Sequence, residues 1–240
     1  DTAFPELVGK RRVFAEFPIP VPSADDRQRV ARLVGRLAMG EHPVGQACSD
    51  SPDSEDKDAI RLLIEEGRKL IGVRPEVAIV VGRHAESLLG EVPSELQARV
   101  LMLLGLALRK ARSDFVNADR CFNRALRALA SANAHPVLCA KAMELKAVNL
   151  YERSLSREAI AWFKRAEALL AEAGEVVRRG RLLADASGAI ADVFGPKNAL
   201  RQRFRASCLN DYKAAPRYAA AIAHGCSLSY VDVDRPSRGL

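Results

Sequence analysis

The chain has 240 residues, 48% of them apolar, 28% charged and 5% aromatic, with a formal net charge of +7. That balance fits a soluble globular protein able to bury a sizeable core in one or two domains. It excludes a membrane-spanning helix, since pure apolar runs such as "VAIVV" at Val77–Val81 fall far short of the ~20 residues a bilayer requires. No charged n-region followed by an apolar stretch opens the chain, so no secretion signal is expected, and the start on Asp1 rather than methionine is expected of a fragment.

Residues 1–50 form a segment of their own. Prolines 18, 20 and 22 hold it extended and remove backbone donors. Ser23 then caps a short predicted helix over 24–38, with Val30, Leu33, Val34 and Leu37 on one face. "GEHPVGQACSDSPDSEDKD" follows, a linker by its Gly, Pro, Ser and acidic content.

Residues 51–240 read as one helical repeat domain. Apolar residues recur at helical spacing over roughly 55–71, 75–89, 93–112, 115–131, 136–153, 156–173, 175–194, 197–213 and 216–231. The breaks between them are "GVRP", "GEVPS", "RSD", "NAHP", "SLS", "AG", "FGP" and "AAP", and no strand-like alternation competes. The expected fold class is all-α, an α-solenoid of stacked antiparallel helix pairs.

A repeat runs through these helices. "ADRCFNRALRAL" from Ala118 and "AIAWFKRAEALL" from Ala159 share a small–large–small pattern, Ala118, Phe122, Ala125 and then Ala159, Phe163, Ala166. Phe122, Phe163 and Phe204 recur at a constant step of 41 residues, and Ala78, Gly82 and Ala85 stand 40 residues before the first copy. A fixed period of this size marks stacked supersecondary units. The small residues let two helices approach closely, and the ring one turn further on fills the space between neighbouring pairs. Gly67, Gly105, Ala147 and Gly188 are the matching small residues of the first helices.

These residues resemble the tetratricopeptide repeat, whose pattern places a small residue in a first helix and Ala-x-x-x-Phe-x-x-Ala in a second. "LMLLGLAL" (101–108) with "ADRCFNRA" (118–125) follows it apart from one extra turn residue, and "AMELKAVNL" (142–150) with "AIAWFKRA" (159–166) follows it in spacing. The step exceeds the family's usual 34, so longer helices are expected. The chain from "ELQARVLMLLGLALRKARSDFVNADRCFNRAL" onward is similar to bacterial tetratricopeptide-array proteins, and "DVDRPSRGL" reads as the turn into an uncompleted helix. "FPIPVPSADDRQRVARL" is separately similar to about twenty residues of type I restriction specificity subunits, with Arg27-Gln28 where that family has Glu-Gln.

The resemblance implies a concave groove, lined by the first helix of each pair, that holds a peptide or a partner helix. The positions that map onto it are Arg99, Met102, Arg109, Lys141, Glu144, Val148, Arg181, Asp185 and Asp192. Their charge is mixed, and the Lys/Asn clamp for a C-terminal carboxylate is absent, which argues against the chaperone-tail class of ligand.

Other chemistry finds little support. Cys48, Cys121, Cys139, Cys208 and Cys226 lack zinc or redox spacing and read as reduced thiols in a cytoplasmic protein. His224 and Cys226 are two apart on a helix and do not face one another, while His84 reads as a packed or surface residue and His42 and His135 precede prolines. Trp162 reads as packing between helices. With no Gly-x-Ser-x-Gly, His-Glu-x-x-His or phosphate loop, the expectation is no enzyme, no cofactor and no metal. Arg/Lys clusters, including Arg120, Arg124 and Arg127 and also Arg201, Arg203 and Arg205, read as solvated helix faces without interleaved aromatics. The expected function is a cytoplasmic protein-binding scaffold; the alternative, carried by net charge and the N-terminal segment, is the sensor or effector half of a bacterial transcription regulator.

Overall fold

A computed structural model of the protein describes residues 24–40, 55–89 and 95–209. Among the described residues there are nine α-helices and no strand: α1 (Ala24–Ala38), α2 (Glu55–Ile71), α3 (Pro75–Ser87), α4 (Glu95–Arg112), α5 (Phe115–Ser131), α6 (Pro136–Glu152), α7 (Ser156–Glu172), α8 (Val176–Phe194) and α9 (Pro196–Leu209). The prolines at 18, 20 and 22, the linker after residue 40, the helix expected over 216–231 and the closing "DVDRPSRGL" lie outside the described residues. So do His42, His224, Cys48 and Cys226.

Local chemistry explains the boundaries. Pro75 and Pro136 open α3 and α6, where the missing N–H removes no intrahelical bond. Asp114 caps α5 by accepting from the Asn117 N–H at 3.1 Å, and the His135 imidazole caps α6 by accepting from the Val137 N–H at 3.2 Å. The helices end in left-handed residues, Ser113 after α4, Asn133 after α5, Ser154 after α6 and Gly174 after α7. Beyond three of these the next N–H reaches back to a last-turn carbonyl: Ala134 to Leu129, Leu155 to Leu150 and Glu175 to Leu170.

The described residues are all-α, and within each of two compact units the helices adjacent in sequence pack on one another in a solenoid-like succession. The chain divides into two compact units, Asp1–Ala134 and His135–Leu240. In the first, α1 lies on α2 and α3, α2 reaches α4 as well as α3, and α4 pairs with α5. Val30 and Leu37 of α1 are buried with Ile60, Leu63, Val77, Val81, Val100 and Leu104, so this N-terminal helix shares the core of the unit. In the second, α6 pairs with α7 and touches α8, α7 packs on α8, and α8 pairs with α9.

The small–large–small pattern is visible as burial. Ala118, Phe122 and Ala125 in α5 and Ala159, Phe163 and Ala166 in α7 are all buried, as are Ala78, Gly82 and Ala85 in α3. Gly105 allows the close approach in the α4–α5 pair, since a Cβ there would stand 2.5 Å from the Phe122 ring.

Phe204 departs from the pattern: its ring is 66% exposed, so the expectation that it wedges between helices is corrected. Helix α9 buries Ala199 and Ala206 instead, and Ala206 is two residues or ~200° round the helix from Phe204. The cause lies in the turn. Three residues, 153–155, separate α6 from α7, whereas Gly195 alone separates α8 from α9. The 41-residue step is kept, but residues that reverse the chain in one pair are taken into helix in the other, which rotates α9 about its axis.

Candidate functional site

The predicted groove residues fall in both units. Within the second, Lys141, Glu144 and Val148 follow one another at helical spacing on α6, as do Arg181, Asp185 and Asp192 on α8. Because α6 touches α8, the two rows share one surface. The Lys141 ammonium pairs with the Glu144 carboxylate, whose side chain is only 13% exposed. Asp185 is exposed on this surface. Its carboxyl is pushed up to about 6, first by desolvation and then by the Glu144 charge, against the opposing pull of Arg181 and Lys141. Two cations and two carboxylates from two helices therefore act on one another here.

Val148 is half-buried beside this cluster in sequence register. Asp192 is exposed but committed locally, accepting a hydrogen bond from the Ser156 hydroxyl at 2.8 Å and so tying α8 to the start of α7. Tyr151 lies close by, its phenol raised by desolvation first and then by Asp192. Ser156 and Tyr151 had no sequence signal, because an isolated hydroxyl on a helix is ordinary.

In the first unit the outcome differs. Arg99 is half-buried and faces Arg68 of α2, whose guanidinium is lowered from its ordinary value by burial and then by the Arg99 charge. Met102 and Arg109 are corrected: at 2% and 9% exposure they line no open groove. Helix α4 is covered by α2, α3 and α5 together, so its apolar surface extends almost all round and leaves no free first-helix stripe at these positions.

The remaining candidates have local roles. Trp162 is half-buried and carries two cations, the Lys146 ammonium 4.3 Å and the Arg165 guanidinium 4.8 Å from its ring centroid. The His84 imidazole is lowered by burial and stays neutral at pH 7. Burial pushes the Cys121 thiol up to about 11, Cys139 is buried and Cys208 is exposed, and none of these three is in a disulfide. Among the described residues no three His, Cys, Asp or Glu side chains are grouped to hold a metal, and no helix is long and apolar enough to cross a membrane. Compared with known proteins, the chain matches no family model and aligns with no curated protein.

Proposed function

We propose that the protein is a non-enzymatic interaction scaffold of the tetratricopeptide kind, working in the cytoplasm, that holds a peptide or partner helix against α6 and α8. The observation that carries this reading is the convergence of Lys141, Glu144, Arg181 and Asp185 from those two helices on one surface. The buried repeat of Ala159, Phe163 and Ala166 supports it by supplying a rigid backing to that surface. A ligand bearing both signs of charge can replace the internal pairs one for one, so selectivity arises from register more than from net charge.

The test is a crosslinking pull-down with the whole chain as bait, beside the double variant Lys141→Glu, Arg181→Glu. Loss of an acidic partner from the variant, with unchanged helical content by circular dichroism, is expected. Equal recovery of the partner by both baits contradicts the choice of face.

A further inference from the structure

Helix α9 carries an outer face that the α6–α8 surface does not use. Lys197, Arg201, Phe204, Arg205 and Cys208 are all exposed, and their spacing of i, i+4, i+7, i+8 and i+11 gathers them into one stripe. Ala199 and Ala206 on the opposite side are buried, with Ala206 against Leu183 of α8. The helix contains no acidic residue. Its fourth cation, Arg203, turns inward and donates to the Ser187 hydroxyl at 2.8 Å. Arg205 reaches the Glu167 carboxylate at 3.4 Å, but the same oxygen already accepts two shorter bonds from Arg179, and the Arg205 side chain stays 57% exposed. The outer stripe therefore carries cations on either side of an apolar ring that stands 66% in water.

We propose that this stripe is a second docking surface, which binds an acidic amphipathic segment of a protein partner through an apolar cap on Phe204 and carboxylates opposite Lys197, Arg201 and Arg205. Charge complementarity fixes the sign of the partner, since nothing on α9 neutralises the stripe. The single central aromatic fixes its class. Aromatic and Arg anchors ringed by weaker contacts are the energetic centre of protein interfaces, whereas single-stranded nucleic acid is held by several aromatics in succession, and α9 has one. The cations repeat every four residues, about 6 Å along the axis, which matches glutamates repeating every turn of a facing helix.

The probe is a fluorescein-labelled helical peptide of leucine and glutamate at amphipathic spacing, titrated with the full chain and read by anisotropy. The same peptide with glutamine for glutamate, and a single-stranded oligonucleotide, are run beside it. The glutamate peptide is expected to bind, with affinity that falls as salt rises, and the glutamine peptide is expected to bind at least ~10-fold more weakly. Phe204→Ala and Arg201→Glu should each weaken binding by ~10-fold or more, while Lys141→Glu with Arg181→Glu leaves it unchanged. Lys197→Glu supplies a second charge reversal should Arg201→Glu alter the helical spectrum. Absence of peptide binding at low salt, equal binding of the two peptides, wild-type affinity in the Phe204 variant, or tighter binding of the oligonucleotide overturns the proposal. Failure here leaves the α6–α8 reading standing, because the two surfaces share no residue.

Discussion

The hairpins α6–α7 and α8–α9 begin from one sequence pattern and use their phenylalanine in opposite ways. In the first, Phe163 is 3% exposed and flanked by the buried Ala159 and Ala166; in the second, Phe204 is 66% exposed. Their turns differ too: Ser154 is left-handed between α6 and α7, while Gly195 sits at φ 83° and ψ 166° between α8 and α9. Gly188 of α8 then receives the Tyr151 phenol from α6, where Gly105 of α4 receives the ring of its own pair. A period fixes where a residue lies along a helix, but the turn fixes which way it points. The α8–α9 pair spends its ring on the surface rather than in the core.

The widest separation between the two pairs should appear in side-chain truncation. Phe163→Ala is expected to cost about 3–5 kcal/mol in denaturant unfolding, and Phe204→Ala no more than about 0.5 kcal/mol. Comparable losses would break the comparison. Next comes the turn. Gly195 occupies a backbone region open to glycine almost alone, so Gly195→Ala should cost about 1–3 kcal/mol, whereas Ser154→Ala stays within about 0.5 kcal/mol. If Gly195→Ala is neutral, the account of why α9 is rotated is wrong.

Glycine packing gives a smaller effect. An added Cβ at position 105 meets the buried Phe122 ring at 2.5 Å, while at 188 it meets the Tyr151 hydroxyl at 2.6 Å. The ring of Phe122 is fully enclosed and cannot yield; Tyr151 is partly exposed and can. Overpacking of ~1–3 kcal/mol, offset by nearly 1 kcal/mol of helix propensity, leaves Gly105→Ala destabilised by about 1 kcal/mol and Gly188→Ala close to neutral in thermal unfolding.

The smallest effect is on pH dependence. The Asp185 carboxyl is pushed up to about 6 in the folded protein, first by desolvation and then by Glu144. The folded state thus takes up this proton before the unfolded chain does, and its stability contribution is lost as pH rises from the ordinary aspartate range through about 6. Carboxyl NMR should show Asp185 titrating near 6 and moving down in Glu144→Gln, and Asp185→Asn should flatten stability over that interval. A titration in the ordinary aspartate range contradicts this reading of the carboxyl's surroundings.

Much of the fold was legible because it rests on periodicity. The helix at 24–38 and the boundaries of α2, α5 and α6–α8 fall within about a residue of where apolar spacing and breakers put them, since proline, left-handed turn residues and caps act locally. The rotation of α9 was not legible, because a one-residue turn and a three-residue turn fit the same 41-residue step. Met102 was misplaced because "LMLLGLAL" is apolar all round and offers no polar face from which to orient α4. Lys141, Glu144, Arg181 and Asp185 become candidates only through the likeness to a repeat, and the mutual effect of their charges depends on α6 lying beside α8, which no single helix encodes. The stripe on α9 was in view as an Arg-rich face; its ring had been assigned to the core.

The most direct test is solvent exposure of the three repeated rings. Fluorine-labelled phenylalanine, observed in the whole chain with a soluble paramagnetic agent, should show Phe122 and Phe163 protected and Phe204 strongly relaxed. Equal protection of all three would mean that the period dictates packing throughout, and it would remove both the rotated α9 and the docking surface built on it.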